Sequence, residues 1–173
     1  MPTILVINDD GIKSIGLFAL VKQLKKLGDV IVVTPGDEKS GIGKAISIGQ
    51  VNVTETSFDD GTRAYATAGT PADSFLIAVN KILKCMPDLL VSGVNIGPNL
   101  GIDDLLTSGT VGATFEAAIH HVPAIAVSYC LSEITEKMAD KRKVSVKDLD
   151  LAATLAYKAA RHVLEKGMPS DVD

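Results

Sequence analysis

The sequence predicts an α/β protein built on a mostly parallel central sheet. A continuous apolar run, Ile4 to Ile7, stands near the start of the chain, and such runs form strands that are buried on both faces of a parallel sheet. A helical repeat of leucines and a second apolar run at 30–34 follow, which together predict a right-handed βαβ unit. The 173 residues, of which 46% are hydrophobic, suffice for one domain with its own core. We therefore expect a single domain at 1–173.

Local signals predict the next elements. The leucine repeat of the first helix stops at Gly28, a common helix terminator. Two segments of alternating polarity, 45–55 and 62–68, flank a turn signal at 59–61, and this pattern predicts a small, extended, antiparallel excursion from the main sheet. Thr70 as N-cap and Pro71 at the first helical position then open a second helix.

The second half of the chain continues the alternation of strands and helices. The predicted elements are a buried strand at 88–92, a glycine- and asparagine-rich loop at 93–104, a helix from Ser108 to about His120, a strand at 123–128, a polar connector at 129–147, and a final helix that carries Leu151, Leu155, Ala159 and Val163. Ser145 and Asp148 form a capping-box pattern before that last helix.

Composition excludes several classes of function. The formal net charge of −4 and an aromatic content of 4% argue against nucleic-acid binding, which needs a basic surface or stacking side chains. The apolar runs are too short to cross a membrane. Cys85 and Cys130 are too few for a disulfide framework, so we expect both to be reduced core residues of a cytoplasmic protein.

Polar residues cluster in the loops that follow the predicted strands. Asp9 and Asp10 come directly after the first strand, Ser40 follows the second, and Asn95 follows the third. In a parallel sheet these loops share one edge, where open α/β sheets bind ligands. Carboxylate, hydroxyl and amide oxygens are hard ligands that suit Mg²⁺ or Mn²⁺. An acidic turn that merely caps the next helix is the plainer interpretation of Asp9 and Asp10.

The same edge offers features of an anion site. The sequence Ser108-Gly109-Thr110 begins a helix, whose first N–H groups and positive dipole end suit a phosphate. Ser40 lies in a loop predicted at 35–44, called here the Ser40 loop, and Gly41 would let the backbone of this loop approach the same anion. A metal beside a phosphate points to phosphoryl chemistry.

Three other phosphate-linked classes fit the residues less well. Haloacid-dehalogenase-like phosphatases need a nucleophilic Asp where this chain has Asn8. Response-regulator receivers need a phospho-accepting Asp at the end of the third strand, where Ser92 stands. The spaced Gly-Lys-Ser/Thr signature of a P-loop is absent from the sequence.

Five segments in order resemble the SurE family of survival-protein nucleotidases. They read ILVINDDGI, SGIGKAISI, GTPADS, VSGVNIGPNLG and SGTVGATFEA, and they lie between Thr3 and Ser128. The resemblance implies a Rossmann-like three-layer α/β sandwich. It also implies a divalent-metal-dependent phosphomonoesterase that hydrolyses nucleoside monophosphates, a 5′/3′-nucleotidase with exopolyphosphatase activity in some members.

The resemblance assigns roles by position. It implies one divalent cation, Mg²⁺ or Mn²⁺, held by Asp9, Asp10, Ser40 and Asn95. It places the phosphate between Gly41, Asn99, Ser108, Gly109 and Thr110. We further expect Asp9 or Asp10 to be the catalytic group that takes a proton from water.

The resemblance also concerns assembly. Family chains continue past this point, which implies that 1–173 lacks the dimerisation hairpin and C-terminal tail of a homodimer or higher homo-oligomer. The alternative to an enzyme is a non-catalytic nucleotide- or metal-binding regulatory module, since a fold alone does not fix a function.

Overall fold

A computed structural model describes residues 1–130 and 144–169 of the chain. Within these ranges six strands form one sheet, and their bounds are Thr3–Ile7 (β1), Asp29–Pro35 (β2), Val53–Ser57 (β3), Arg63–Thr67 (β4), Leu89–Ile96 (β5) and Ala124–Tyr129 (β6). The spatial order is β3-β4-β2-β1-β5-β6. Only the β3–β4 pair is antiparallel among these strands. The predicted parallel sheet with a small antiparallel excursion is therefore confirmed.

Helices cover both faces of the sheet. Those in the described ranges are Ile15–Leu24 (α1), Pro71–Ile77 (α2), Ile102–Thr107 (α3), Gly109–Ile119 (α4) and Val146–Lys166 (α5), and one π-helical turn, Ala78–Ile82, continues α2. Helices α1 and α5 pack on one face, while α2 and α4 pack on the other. The arrangement is the predicted three-layer sandwich.

Strand β1 divides its side chains between the two cores. Ile4 and Val6 belong to the core under α1 and α5, whereas Leu5 and Ile7 belong to the core under α2 and α4. None of the four has any exposed surface. Burial of one such side chain is worth about 1.5–3 kcal/mol, so β1 is firmly held, and the residues that follow it start from a fixed position.

Two boundaries differ from the sequence prediction. Residues 93–96, predicted as loop, are the last part of β5, because Asn95 and Ile96 pair with Ser128 and Tyr129 of β6 after a register shift. Residues 102–107, of which the first three were predicted to lie in that loop and the others were given no element, form α3, a short helix without a buried residue.

The cysteine prediction is wrong in one respect. Cys85 and Cys130 are free, as expected, but both are exposed. Cys85 lies in the bend that follows the π-helical turn, and Cys130 directly follows the edge strand β6, so neither is on an inward face. No helix within the described ranges is long and apolar enough to cross a membrane. Most of the predicted connector at 129–147 lies outside the described residues.

Candidate metal and phosphate site

The candidate site lies at the carboxyl end of β1, between the ends of β2 and β5. Asn8 is the first residue after β1, and none of its surface is exposed. Its Oδ1 accepts from the Gly11 backbone N–H over 3.2 Å, and its Nδ2 donates to the Gly11 carbonyl over 3.2 Å. The Thr34 hydroxyl of β2 lies 2.7 Å from the same Oδ1. Asn8 therefore closes the turn that presents the two aspartates.

Asn8 is a site residue that the sequence analysis did not identify as such. Its role has a sequence signal, because an Asn side chain commonly bonds the backbone of a turn that a glycine completes. Gly11 adopts φ 93°, a left-handed conformation that favours glycine. The Asn-x-x-Gly spacing at positions 8–11 could have indicated this turn.

Asp9 is bound at both carboxylate oxygens by one residue. The Thr110 hydroxyl donates to Oδ1 over 2.6 Å, and the Thr110 backbone N–H donates to Oδ2 over 3.0 Å. Asp9 is 3% exposed. Burial raises the pKa of Asp9 above its ordinary value of 3.8; the hydrogen bonds from Thr110 lower it, and the neighbouring charge of Asp10 raises it further, with a net upward shift. The carboxylate is thus costly to ionise unless a cation accompanies it.

Asp10 faces the end of β5. Its Oδ2 accepts from the backbone N–H of Ile96 over 3.3 Å. The neighbouring Asn95 donates through Nδ2 to the backbone carbonyl of Gly97 over 3.1 Å. The side-chain oxygen of Asn95 therefore points away from Gly97. The structure thereby brings the turn after β1 against the last residues of β5, which include Asn95, at one edge of the sheet as predicted.

The Ser40 loop joins the site from the end of β2. The backbone N–H of Lys39 donates to the Asp9 carbonyl over 2.7 Å. The Ser40 hydroxyl donates to the Glu38 carboxylate over 2.7 Å. Gly41 has φ 72°, which a glycine adopts without strain. These contacts hold the loop beside Asp9 and carry its hydroxyl to the edge of the site.

A cavity of about 210 Å³ lies among these loops. Six of the nine predicted site residues line it: Asp9, Ser40, Gly41, Asn95, Asn99 and Ser108. Four lining residues were not predicted: Ile96, Gly97, Asp104 and Thr107. Short helix α3 supplies the last two, and its absence from the sequence prediction explains why they were missed.

The other three predicted residues lie behind the cavity wall. Thr110 supports Asp9, and a Cβ added at Gly109 would come within 2.8 Å of the Asp9 Cβ. Asp10 contacts Ile96, a lining residue. Both the backbone N–H and the hydroxyl of Thr110, predicted as phosphate donors, bind Asp9 in this structure.

Ser108 and Asn99 are placed by local contacts. Ser108 is the N-cap of α4, and its hydroxyl accepts from the backbone N–H of Val111 over 3.2 Å. Asn99 donates through Nδ2 to the Ser128 hydroxyl of β6 over 2.7 Å. The cavity therefore lies next to the N-terminal turn of α4, where N–H groups point outward.

The donor set of the cavity suits a hard cation. Its lining residues include Asp9 and Asp104 but no Lys, Arg or His, so a dianionic phosphate alone would meet like charge. No group of three His, Cys, Asp or Glu side chains able to hold a metal occurs in the described part of the chain. A cation here would therefore use carboxylate, hydroxyl and amide oxygens together, a set that fits Mg²⁺ or Mn²⁺.

The sheet topology and the acidic cavity at the end of its central strand define a Rossmann-like α/β ligand-binding domain. The family model described as Survival protein SurE matches residues 4–172. The chain belongs to the SurE family, as the five sequence segments predict.

Relatives of known structure or curated name agree with this assignment. The 5′-nucleotidase SurE of Methanosarcina mazei is 42% identical over 174 residues, which cover 100% of this chain and 65% of the relative. The 5′-nucleotidase SurE of Methanothermobacter thermautotrophicus is 42% identical over 98% of this chain and 64% of the relative. The crystal structure of the SurE protein from Aquifex aeolicus matches with a TM-score of 0.79 and 34% identity, over 98% of this chain and 63% of that one. The chain spans a little under two thirds of these relatives.

Proposed function

We propose that the protein is a divalent-metal-dependent phosphomonoesterase that hydrolyses nucleoside monophosphates to nucleoside and phosphate. The observation that carries the proposal is the buried Asp9 carboxylate at a cavity shared with Ser40, Asn95 and the N-cap of α4. The printed names of the archaeal relatives, 5′-nucleotidase SurE, support the same activity.

One Mg²⁺ or Mn²⁺ would be held by Asp9, Asp10, Ser40 and Asn95. When bound, such an ion polarises a phosphoryl oxygen and makes a coordinated water more acidic. The Ser40 hydroxyl can keep its hydrogen bond to Glu38 while its oxygen faces the ion, because a donating hydroxyl retains its lone pairs. The raised pKa of Asp9 supports the fit, because a nearby cation offsets the cost of a buried carboxylate.

The chain's own groups would then bind and orient the substrate. The phosphate would lie against Gly41, Asn99 and Ser108, which line the cavity, while Gly109 and Thr110, also predicted for the phosphate, hold Asp9 behind it. N–H groups at a helix N-terminus stabilise charge on phosphoryl oxygens. Asp9 and Asp10 are the candidates for the group that takes the proton from the attacking water; Asp9 lines the cavity, and Asp10 contacts the lining residue Ile96.

Several narrower predictions belong to the same proposal. They are cytoplasmic location, hydrolysis of short polyphosphate, and assembly as a homodimer or higher homo-oligomer. The second candidate function is a nucleotide- or metal-binding regulatory module without turnover. The Thr110–Asp9 bonds favour it, because they engage two donors that were predicted for the phosphate.

Phosphate release from AMP, GMP and a generic aryl phosphate, measured with Mn²⁺, with Mg²⁺ and in excess EDTA, tests the proposal. We expect release from the nucleotides with a metal and none in EDTA. Asp9→Asn should abolish turnover, while Asp29→Asn, at an exposed residue of β2 that pairs with Arg63, should not. Metal and nucleotide binding without phosphate release would favour the regulatory module, and release that EDTA leaves unchanged would exclude the metal-dependent mechanism.

A further inference from the structure

The Ser40 loop continues along one face of helix α4. Gly109, Gly112 and Glu116 are spaced i, i+3, i+7, so they share that face. A Cβ added at Gly109 would lie 3.0 Å from the Ile42 Cγ2, and one added at Gly112 would lie 2.4 Å from the Gly43 carbonyl oxygen. The loop backbone therefore approaches the helix as closely as glycine permits.

The two ends of this contact are fixed by polar groups. At the N-terminal end the Gly43 backbone N–H donates to the Thr107 carbonyl over 2.7 Å. Two turns along the helix, the Lys44 ammonium contacts Oε2 of the Glu116 carboxylate. Glu116 is 4% exposed, and its Oε1 lies 3.3 Å from Nε2 of His120. A buried carboxylate needs such partners.

Helix α4 thus contacts both the Asp9 turn and the Ser40 loop of the candidate site. Its first turn binds Asp9 through Thr110, and its later face binds the loop that carries Ser40. A shift of the loop along α4 would change the separation between Ser40 and Asp9 without touching either residue. The Lys44–Glu116 pair is the charged contact that opposes such a shift.

We propose that Lys44 and Glu116 are positioning residues that fix the Ser40 loop on α4 and so set the cation affinity of the site. The inference rests on the proposed function for its metal but names residues outside the ligand and phosphate sets. Supporting contacts of metal ligands commonly change metal affinity 10–100-fold. Lys44 therefore acts through Ser40 and does not touch the substrate.

The test compares Lys44→Met, Lys44→Arg and Glu116→Gln with Lys25→Met. The control removes the ammonium of another ion pair, Lys25–Asp60, which is remote from the loop contacts. Mn²⁺ affinity is measured without substrate, from the paramagnetic resonance signal of free Mn²⁺. We expect Lys44→Met and Glu116→Gln to bind Mn²⁺ about tenfold more weakly, Lys44→Arg to retain wild-type affinity, and Lys25→Met to be unchanged.

A second readout needs neither metal nor substrate. Hydrogen exchange at the Gly43 amide should be faster in Lys44→Met than in Lys25→Met, because the pair holds that amide against the Thr107 carbonyl. Equal Mn²⁺ affinity, or unchanged Gly43 exchange, in Lys44→Met and Lys25→Met overturns the inference. If the wild type binds Mn²⁺ but releases no phosphate, the proposed function fails while these two measurements still decide the role of Lys44.

Discussion

Thr110 binds both oxygens of the Asp9 carboxylate, one through its hydroxyl at 2.6 Å and the other through its backbone N–H at 3.0 Å. The N-terminus of a helix can bind the anion of a ligand, but the N-terminal turn of α4 binds the carboxylate of Asp9. The interaction fixes the rotamer of Asp9. It does not fully offset the free-energy cost of burying the carboxylate, which a bound cation would offset further. Burial of the carboxylate, which the Thr110 bonds offset only in part, makes the metal-free site a source of instability, and the first predictions test that cost.

Asp9→Asn should stabilise the metal-free protein while abolishing activity. The amide oxygen can accept from the Thr110 N–H and the amide nitrogen can donate to the Thr110 hydroxyl, so the neutral side chain keeps both contacts. Relief of a destabilised functional site is typically worth about 0.5–2 kcal/mol, and 1 kcal/mol corresponds to about 2–4 °C in Tm for a chain of this size. Thermal unfolding at pH 7 in EDTA measures it; a lower Tm than wild type would contradict the prediction.

The stability difference between Asp9→Asn and wild type should depend on pH. Because the pKa of Asp9 is raised on folding, the folded state binds this proton more tightly than the unfolded state. Wild-type stability from this group is therefore greatest at low pH and falls as pH rises from about 3.8 through the raised pKa. The advantage of Asp9→Asn should vanish toward pH 3.8 and grow as the pH rises through the raised pKa, as urea titrations at a series of pH values would show. A difference that stays constant over this range would contradict the sign.

Thr110→Val should weaken both the fold and the cation site. The substitution keeps the side-chain shape and the backbone N–H but removes the hydroxyl that donates to Asp9. Loss of a hydrogen bond to a charged group costs about 1.5–3 kcal/mol, and we expect Mn²⁺ affinity to fall about tenfold. Thr114→Val is the matched control, since that hydroxyl only donates to the Val111 carbonyl in the same helix. Equal effects of the two substitutions on Mn²⁺ affinity would show that the hydrogen bond from Thr110 to Asp9 does not contribute to metal binding.

Gly109→Ala should be destabilising although alanine favours helices by about 1 kcal/mol. The new Cβ would lie 2.8 Å from the Asp9 Cβ and 3.0 Å from the Ile42 side chain, so the carboxylate or the loop must move. Gly101→Ala, where a Cβ meets nothing within 4 Å, provides the control. We expect a lower denaturation midpoint and loss of phosphate release for Gly109→Ala alone; an active Gly109→Ala protein would mean that Asp9 tolerates displacement.

Ser47→Ala should destabilise the segment that follows the Ser40 loop. Burial tends to raise the pKa of Asp73, but hydrogen bonds from Ser47 and Thr70 outweigh it and hold the pKa below its ordinary value. Asp73 therefore contributes stability above pH 3.8, which is lost as the pH falls through its folded pKa. We expect a loss of about 1–2 kcal/mol at pH 7 that shrinks in acid, measured by urea unfolding. Ser57→Ala, on exposed strand β3, should show neither effect.

Much of the fold was predictable because its signals are local. The apolar runs of β1 and β2, the N-caps Thr70 and Ser108, and the capping box of Ser145 and Asp148 all appear in the structure where the sequence places them. Each depends on a few neighbouring residues, so no knowledge of the sheet was required.

The missed features depend on distant partners. Asn95 has loop-like character, yet pairing with Ser128 of β6 makes it part of β5, because tertiary contacts override weak propensity. The Lys44–Glu116 pair joins residues 72 positions apart in sequence, and nothing in either local segment indicates the other. The same holds for Asn8 and Thr34, whose contact supports the turn that contains Asp9 and Asp10.

The contact between Asp9 and Thr110 spans 101 positions of the chain, and that of Asp10 with Ile96 spans 86. During synthesis on a ribosome the acidic turn leaves the exit tunnel early, but its helix partner does not exist until β1, β2 and β5 have all been translated. Contacts of such wide separation form only after the intervening chain has closed into structure. The cavity that we propose for the cation is therefore complete only after the sheet has assembled, so a half-made chain lacks a full set of the proposed ligands.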